Sequence, residues 1–252
     1  MTEDEEYVQQ AIKLVDRIKD ELNELDELIQ IYDKVEAAVM ANPEIQTNNG
    51  LFFAFQTTHT DSKLIRLRRI MDNGSRTGSL YQLARFIAAK PQAFSRKWFD
   101  AIYAGTPVAT FTDKWWPEYA NANGEHVCPV KLMAKADALR LTARAVSDWV
   151  SQNVAHLDNN PTVPMPNWGE YFSALSEIRG FFTWMYNFLT GCSLEPRVTM
   201  AFDWEESLMI PWMPMTTRVK RIRENRAQRA KAAQADAESK PQPQTGPLLG
   251  GR

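Results

Sequence analysis

The chain has 252 residues, enough to bury a sizeable core without disulfides or metals to hold it together. Its two cysteines, Cys128 and Cys192, are too few for a disulfide framework, and its acidic start, MTEDEEYVQQ, is the opposite of a secretory signal. No apolar run approaches the roughly 18 residues that a membrane span needs. These features argue against secreted scaffolds and membrane-spanning proteins, and we expect a cytoplasmic protein.

The net charge of −2 conceals long segments of opposite sign. Residues 1–36 hold twelve acidic and four basic residues, a net charge of −8, whereas residues 61–97 hold nine basic and two acidic residues, a net charge of +7. Residues 216–252 hold nine basic and three acidic residues, a net charge of +6. Two explanations stay open, because the acidic segment could pack beside the second one, or the basic segments could form a surface for an anionic partner.

The start of the chain has strong helical periodicity. Apolar residues recur every three or four positions from Val8 to Tyr32, which predicts one long helix that extends to Met40. The same spacing is typical of a coiled coil, so this helix is expected either to pack within a bundle or to pair with a second copy.

Further helical segments follow, and no convincing strand alternation is found. The predicted helices cover residues 51–71, 80–89 with Ser79 as the N-cap, a segment around 98–102 after Pro91, residues 128–156, 168–189 and 218–237. Residues 105–128 are expected to be irregular with about one helical turn, and residues 238–252 are expected to be disordered. The sequence therefore predicts an all-α bundle with a basic tail.

The common catalytic motifs are missing from the sequence. His59, His126 and His156 are not spaced as metal ligands on one helix face, and the two cysteines are far apart. Glycine-rich nucleotide loops and the G-x-S-x-G elbow are also absent. We therefore expect neither a metal nor another cofactor.

A polar stripe on the predicted helix over 128–156 is the first candidate site. It consists of residues that recur every four positions, namely Arg140, Arg144, Asp148, Gln152 and His156. The stripe is either a solvated helix face, with His156 favoured at the C-terminus by the helix dipole, or a site where a histidine near a carboxylate moves protons or contacts phosphate.

Clusters of arginines form the second kind of candidate. Arg66 and Arg69 share a helix face with Asp72, and they are expected either to form ion pairs within the helix or to contact phosphate. Arg221 and Arg223 lie in the basic tail, which is either a solvated extension or a phosphate-binding segment.

Two stretches of the sequence resemble a known family. TDSKLIRLRRIMDNGSRTGSLYQLARFI, followed downstream by WVSQNVAHLDNNP, resembles the HEPN superfamily, and within it the AbiU-like branch linked to phage abortive infection. The shared pattern is a Leu/Arg-rich helix between two aspartates (Asp61–Asp72), a Ser-Leu segment (Ser79-Leu80) and a helix that closes in Ala-His-x-Asp (Ala155–Asp158). The stretch LEPRVTMAFDWEESLMIPW is similar to the branch's C-terminal end. The resemblance covers about residues 5–213 and implies an antiparallel HEPN-like helical bundle, with residues 214–252 as the tail.

This resemblance implies an activity on RNA. Ribonucleases of the superfamily use a histidine that follows an arginine after four to six intervening residues, in a site completed by a homodimer. Of the family's catalytic pair, the resemblance carries over only the histidine, as His156, the acid/base or substrate-orienting group. From the sequence itself, the candidates beside it are Gln152, Asn153 and Asp158, and the candidate RNA contacts are Arg66, Arg69, Arg144, Arg221 and Arg223. The expected function is a metal-independent endoribonuclease, or an effector that engages RNA or a nucleotide, in phage defence or a toxin–antitoxin pair.

The chain departs from the family's motif at the arginine. Trp149, Val150 and Ser151 occupy the positions where that arginine should stand, and the nearest upstream one, Arg144, is twelve positions before His156. The alternative is therefore a non-catalytic interaction module that forms homodimers or binds a protein partner, such as an antitoxin or a defence component. Its surface would comprise the N-terminal helix and exposed aromatics such as Trp115 and Trp116, although tryptophans of this kind more often belong to the core.

Overall fold

The computed structural model describes residues 2–41, 50–74, 77–155 and 162–192, together with 220–221, 224–229 and 231. The chain divides into two compact units, Met1–Ala201 and Phe202–Arg252. The predicted all-α class is confirmed, because helices hold most of the described residues, and the β-type contacts among them are two isolated bridges. The described residues of the second unit are helical. The predicted disordered end, 238–252, and the predicted boundary at residue 213 lie outside the described residues.

The helices of the first unit follow the predicted order. They are α1 (Glu3–Met40), α2 (Gly50–Met71), α3 (Leu80–Ala89), α4 (Arg96–Tyr103), α5 (Thr112–Tyr119), α6 (Pro129–Thr142), α7 (Arg144–Val150) and α8 (Trp168–Thr190), with 3₁₀ turns at Pro91–Ala93 and Ala109–Phe111 and a π-helix at Ser151–Ala155. Helix α1 packs against α2, α3 and α8, while α7 packs against α2.

Helix α1 is fixed by its cap and by its apolar stripe. The Thr2 hydroxyl accepts a hydrogen bond from the Glu5 amide at 3.2 Å, and the Glu5 carboxylate accepts one from the Thr2 amide at 2.7 Å. The stripe from Val8 to Tyr32 is buried in the core of its own chain. Of the two alternatives for this helix, packing within a bundle is the one observed.

The segment predicted to be irregular contains a helix. Helix α5 forms because Thr112, Trp116 and Tyr119, at positions i, i+4 and i+7, are buried together. The Trp116 indole N–H donates to the Gly124 carbonyl at 2.8 Å, and Trp115 packs partly against the core. Of the two alternatives for Trp116, a place in the core is the one observed, and not a place on an exposed partner surface.

The single helix predicted over 128–156 is interrupted twice. Ala143, with φ −83° and ψ 0°, separates α6 from α7, and a π-helix follows at Ser151. In that last stretch the Ser151 hydroxyl donates to the Ser147 carbonyl at 2.9 Å, and the Asn153 amide donates to the Trp149 carbonyl at 3.1 Å. Such bonds compete with the regular helical ladder, and single π-turns are frequent at functional sites.

Candidate functional site

The predicted catalytic residues fall partly outside the described chain. His156 and Asp158 belong to the segment 156–161, which the structure does not describe, whereas Gln152 and Asn153 lie in the π-helix. The Gln152 side-chain oxygen accepts hydrogen bonds from the backbone amides of Thr162 at 3.0 Å and Val163 at 3.1 Å. Gln152 therefore joins the two sides of the segment that carries His156.

Arg66 and Arg69 bind carboxylates of the first helix. Arg69 Nη2 lies 2.7 Å from Glu21 Oε1, and Arg66 Nη1 lies 3.2 Å from Glu21 Oε2. Arg66 also pairs with Glu24. These pairs join α1 to α2, whereas the sequence led us to consider pairs within α2. For these residues the acidic segment packs beside the basic one, which is the first of the two explanations of the charge pattern.

A cavity of about 190 Å³ opens beside these ion pairs. It lies between α1 and the end of α2, and it is lined by Arg17, Glu21, Arg69, Ile70, Asp72, Thr77 and Gly78. Below we call it the arginine cleft. Arg17 is exposed, and none of the N–H donors of its guanidinium is used by a carboxylate of the described residues.

The turn after α2 forms one wall of the arginine cleft. Asp72 Oδ1 accepts a hydrogen bond from the Gly74 amide at 3.0 Å, and the Ser79 hydroxyl donates to the Asp72 carbonyl while capping α3. A Cβ on Gly78 would lie 3.4 Å from Arg17 Cδ and 3.3 Å from Leu14 Cδ1, so glycine allows Arg17 to lie closely over the turn. The Asp72 and Ser79 of the family-like motif thus shape this wall.

A second polar cluster, which the sequence interpretation missed, is buried on α2. His59 and Lys63 are 5% and 4% exposed. Lys63 Nζ lies 4.4 Å from the ring centroid of Tyr32 and 5.3 Å from that of Trp168, and it forms no ion pair with another described residue. The His59 ring stacks against both Tyr32 and Phe55, at centroid distances of 5.1 and 5.4 Å, and those two rings stack on each other at 6.3 Å. The sequence does carry a signal for this cluster: His59 and Lys63 follow Phe55 and precede Leu67 at intervals of four residues, so all four lie on the apolar face of α2.

Burial shifts the titration of both groups. It lowers the pKa of Lys63, against the opposing effect of the Asp33 and Glu36 carboxylates. Burial and the charge of Lys63 lower the pKa of His59, against weaker opposing effects from the Leu28 backbone and Asp33. His59 is therefore a neutral imidazole at neutral pH, and its buried Nε2 has no hydrogen-bond partner in the part of the chain that the structure describes.

The remaining predicted arginines lie on exposed surfaces. Arg144 Nε pairs with Asp148 Oδ2 at 3.3 Å, in agreement with the predicted i, i+4 reach. Arg140 stacks on the ring of Tyr81 at 5.6 Å. Arg221 is helical and exposed, and Arg223 lies outside the described residues.

Searches for other kinds of site find little in the described ranges. No group of three or more His, Cys, Asp and Glu residues there could hold a metal ion, and both cysteines are free thiols. No helix among those residues has the length and apolar character needed to cross a membrane.

Comparison with known proteins finds no family model that matches this chain, no curated protein that resembles it and no solved structure that resembles it. The functional assignment therefore depends on the chemistry of the residues described above.

Proposed function

We propose that this chain is a HEPN-like helical protein that engages RNA or a nucleotide, and that it holds a phosphate group in the arginine cleft. The observation that carries this proposal is the position of Arg17 and Arg69, which extend from two different helices to the same cavity. Guanidinium groups present several N–H donors in a plane that matches phosphate oxygens, and they keep their charge at all physiological pH values.

The size of the cleft suits this ligand. At about 30 Å³ for each water molecule of the liquid, 190 Å³ corresponds to about six waters, which is room for a phosphate group and part of a ribose. The hydroxyl-bearing Thr77 and the backbone of Gly78 complete a polar lining. Among the described residues that line the cleft, Ile70 is the one with a wholly apolar side chain.

The carboxylates of the cleft limit its affinity. Glu21 is bound to Arg69 and Arg66, and Asp72 accepts the Gly74 amide, so both carboxylates are occupied by protein donors. They nevertheless cancel part of the positive potential that an anionic ligand meets. We therefore expect weak binding that decreases steeply as salt increases.

Cleavage is the less supported part of this function. Developing charge on a phosphorane needs a cation, and no arginine stands at positions 149–151. Arg66 and Arg69, the arginines that could replace it from α2, are both bound to carboxylates of α1. Binding of RNA without cleavage is thus the form of the function that the described residues support best, with His156 as the acid/base group if an endoribonuclease activity exists.

The test is incubation of the full chain with labelled mixed-sequence RNA in the presence of EDTA, beside the variant His156→Ala. We expect both proteins to retain RNA at low salt and to lose it as salt rises. Cleavage by the wild type alone would add metal-independent ribonuclease activity to RNA binding, which is the activity we propose for a defence or toxin–antitoxin effector. A protein that retains no RNA even at low salt would overturn the proposal.

A non-catalytic module that pairs with a second copy or with another protein is the second candidate. It is favoured by exposed apolar side chains around the start of α8, where Met165, Trp168 and Phe172 are 60%, 52% and 55% exposed. Light scattering of the wild type and of Phe172→Asp tests this candidate. We expect the wild type to have a mass above that of the monomer and Phe172→Asp to have a lower mass. A monomeric mass for both proteins would oppose this candidate.

A further inference from the structure

The buried pair on α2 has a chemistry that RNA binding does not use. His59 and Lys63 are one helical turn apart, which brings their Cβ atoms to about 5–6 Å from each other. Each is at least 95% buried, and neither has a carboxylate at salt-bridge distance among the described residues. Lysine is almost never buried without such a partner, so its retention here requires an explanation.

The surroundings of Lys63 form a box with one fixed and one exposed wall. Tyr32 is the fixed wall, because Gln56 Nε2 donates to its hydroxyl at 2.9 Å and that hydroxyl donates to Glu36 at 3.2 Å. Trp168, the exposed wall, has 52% of its surface in contact with solvent. Of the two rings that contact Lys63, the one exposed to solvent is therefore Trp168, at the start of α8.

His59 adds an acceptor beside the amine. Its Nε2 is buried and has no described hydrogen-bond partner, so its lone pair is available to a proton from a neighbouring group. Aromatic stacking on Tyr32 and Phe55 holds the imidazole ring in place. A buried amine with an adjacent, unpartnered base is the arrangement that activates a lysine nucleophile.

We propose that Lys63 is a nucleophilic amine that condenses with a small uncharged aldehyde or ketone, with His59 as the group that carries the proton. The neutral amine attacks the carbonyl carbon, so a C–N bond forms, the C=O π bond breaks, and one of the two amine protons moves to the oxygen, which becomes a hydroxyl. The second N–H proton is released as the C=N bond forms. His59 Nε2 accepts the proton released from nitrogen and returns it to the hydroxyl, which leaves as water. The products are an imine on Lys63 and one water molecule, and no oxidant or reductant is needed.

The charges around the box indicate which carbonyl compounds it accepts. Asp33 and Glu36 of α1 face this pair, and both disfavour an anionic substrate. The aromatic walls favour an apolar or flat group next to the carbonyl. We therefore expect propanal to react better at Lys63 than glyoxylate, which carries a carboxylate.

The test is reductive trapping on the full chain with propanal and cyanoborohydride, followed by peptide mapping. Lys135 is the internal reference, because its Nζ lies 5.1 Å from the Trp184 ring but its side chain is exposed. At neutral pH we expect Lys63 to be labelled faster than Lys135, because the lowered pKa of Lys63 raises the fraction of its amine that is neutral. The rate at Lys63 should level off at a pH below the ordinary pKa of a lysine amine.

Two variants separate the chemistry from the fold. Lys63→Arg should remove the label at this position and leave that at Lys135. His59→Gln should slow labelling of Lys63 while the circular dichroism spectrum and the labelling of Lys135 stay unchanged. The proposal would be overturned if, in the wild type, Lys63 were labelled no faster than Lys135 at every pH. This comparison uses the wild type alone, so it holds even if a variant fails to fold. RNA retention by the same preparations distinguishes this outcome from failure of the proposed function.

Discussion

Glu21→Gln is the change that most directly alters the arginine cleft. Glu21 binds Arg69 at 2.7 Å and Arg66 at 3.2 Å, and its side chain is 21% exposed. Glutamine keeps the size of the side chain and removes its negative charge. If the cleft binds phosphate, the variant should bind RNA more tightly than the wild type, because two guanidinium groups lose a competing carboxylate.

The magnitudes follow from the exposure of the groups. Partly exposed ion pairs contribute about 0.2–1 kcal/mol each, so the two pairs together should cost about 1 kcal/mol of unfolding free energy. A similar free energy gained by bound RNA corresponds to about a fivefold higher affinity at low salt. One additional phosphate contact should steepen the decrease of log K with log salt by about 0.7 for a single strand.

Fluorescence anisotropy with a labelled mixed-sequence RNA over a range of salt concentrations measures both quantities. Glu24→Gln is the matched control, because Arg66 is the partner of Glu24 among the described residues, and Arg66 keeps Glu21 as a partner. We expect a smaller gain in affinity for the control than for Glu21→Gln. A folded Glu21→Gln protein that binds RNA no more tightly than the wild type would refute the role assigned to these arginines.

Four predictions concern stability. Tyr171→Phe should raise the unfolding free energy by about 1 kcal/mol, because the buried hydroxyl, whose pKa burial raises to about 12, has no described partner. Tyr103→Phe should lower the unfolding free energy by about 1 kcal/mol, because the Tyr103 hydroxyl donates to the Asn187 carbonyl at 2.9 Å. Urea denaturation measures both variants, and an equal loss of unfolding free energy in the two would contradict these predictions. Gly191→Ala should lower the melting temperature, since Gly191 has φ +66° and a Cβ there would lie 3.3 Å from the Ile102 carbonyl oxygen; an unchanged Tm would oppose this. The pKa of His59 is lower in the folded chain than its ordinary value of 6.5, so below pH 6.5 the unfolded chain binds more protons than the folded one. The unfolding free energy should therefore fall as the pH decreases through 6.5. His59→Gln should flatten that dependence, and an equal slope in both proteins would contradict it.

The helices were predictable because local signals determine them. Ser79 caps α3 as expected, and the apolar stripe of α1 is buried over its predicted length. Residues 112–119 were missed because their turn-forming neighbours outweighed a three-residue apolar pattern in the sequence. The break at Ala143 and the π-helix at Ser151–Ala155 were missed because the spacing of apolar residues continues across both of them. Periodicity alone does not reveal a local change in the hydrogen-bond pattern of a helix.

The sites were less predictable because they depend on contacts distant in sequence. Arg66 and Arg69 have the spacing of phosphate ligands, yet their partner Glu21 lies more than 40 residues away. Arg17 was not singled out because it is one basic residue in an acidic segment. Lys63 was not singled out because lysine is usually exposed, and only the packing of Tyr32 and Trp168 around it reveals its burial.

The central claim, that RNA or a nucleotide engages the arginine cleft, is tested most directly by removing Arg17. The measurement is a salt titration of RNA binding by the full chain as wild type, Arg17→Gln and Lys13→Gln. Lys13 is exposed one turn earlier on α1 and does not line the cleft, so both variants lose the same charge from the same helix. Our account predicts that Arg17→Gln weakens binding and flattens the salt dependence, while Lys13→Gln stays close to the wild type. Equal affinities for the two variants would contradict it.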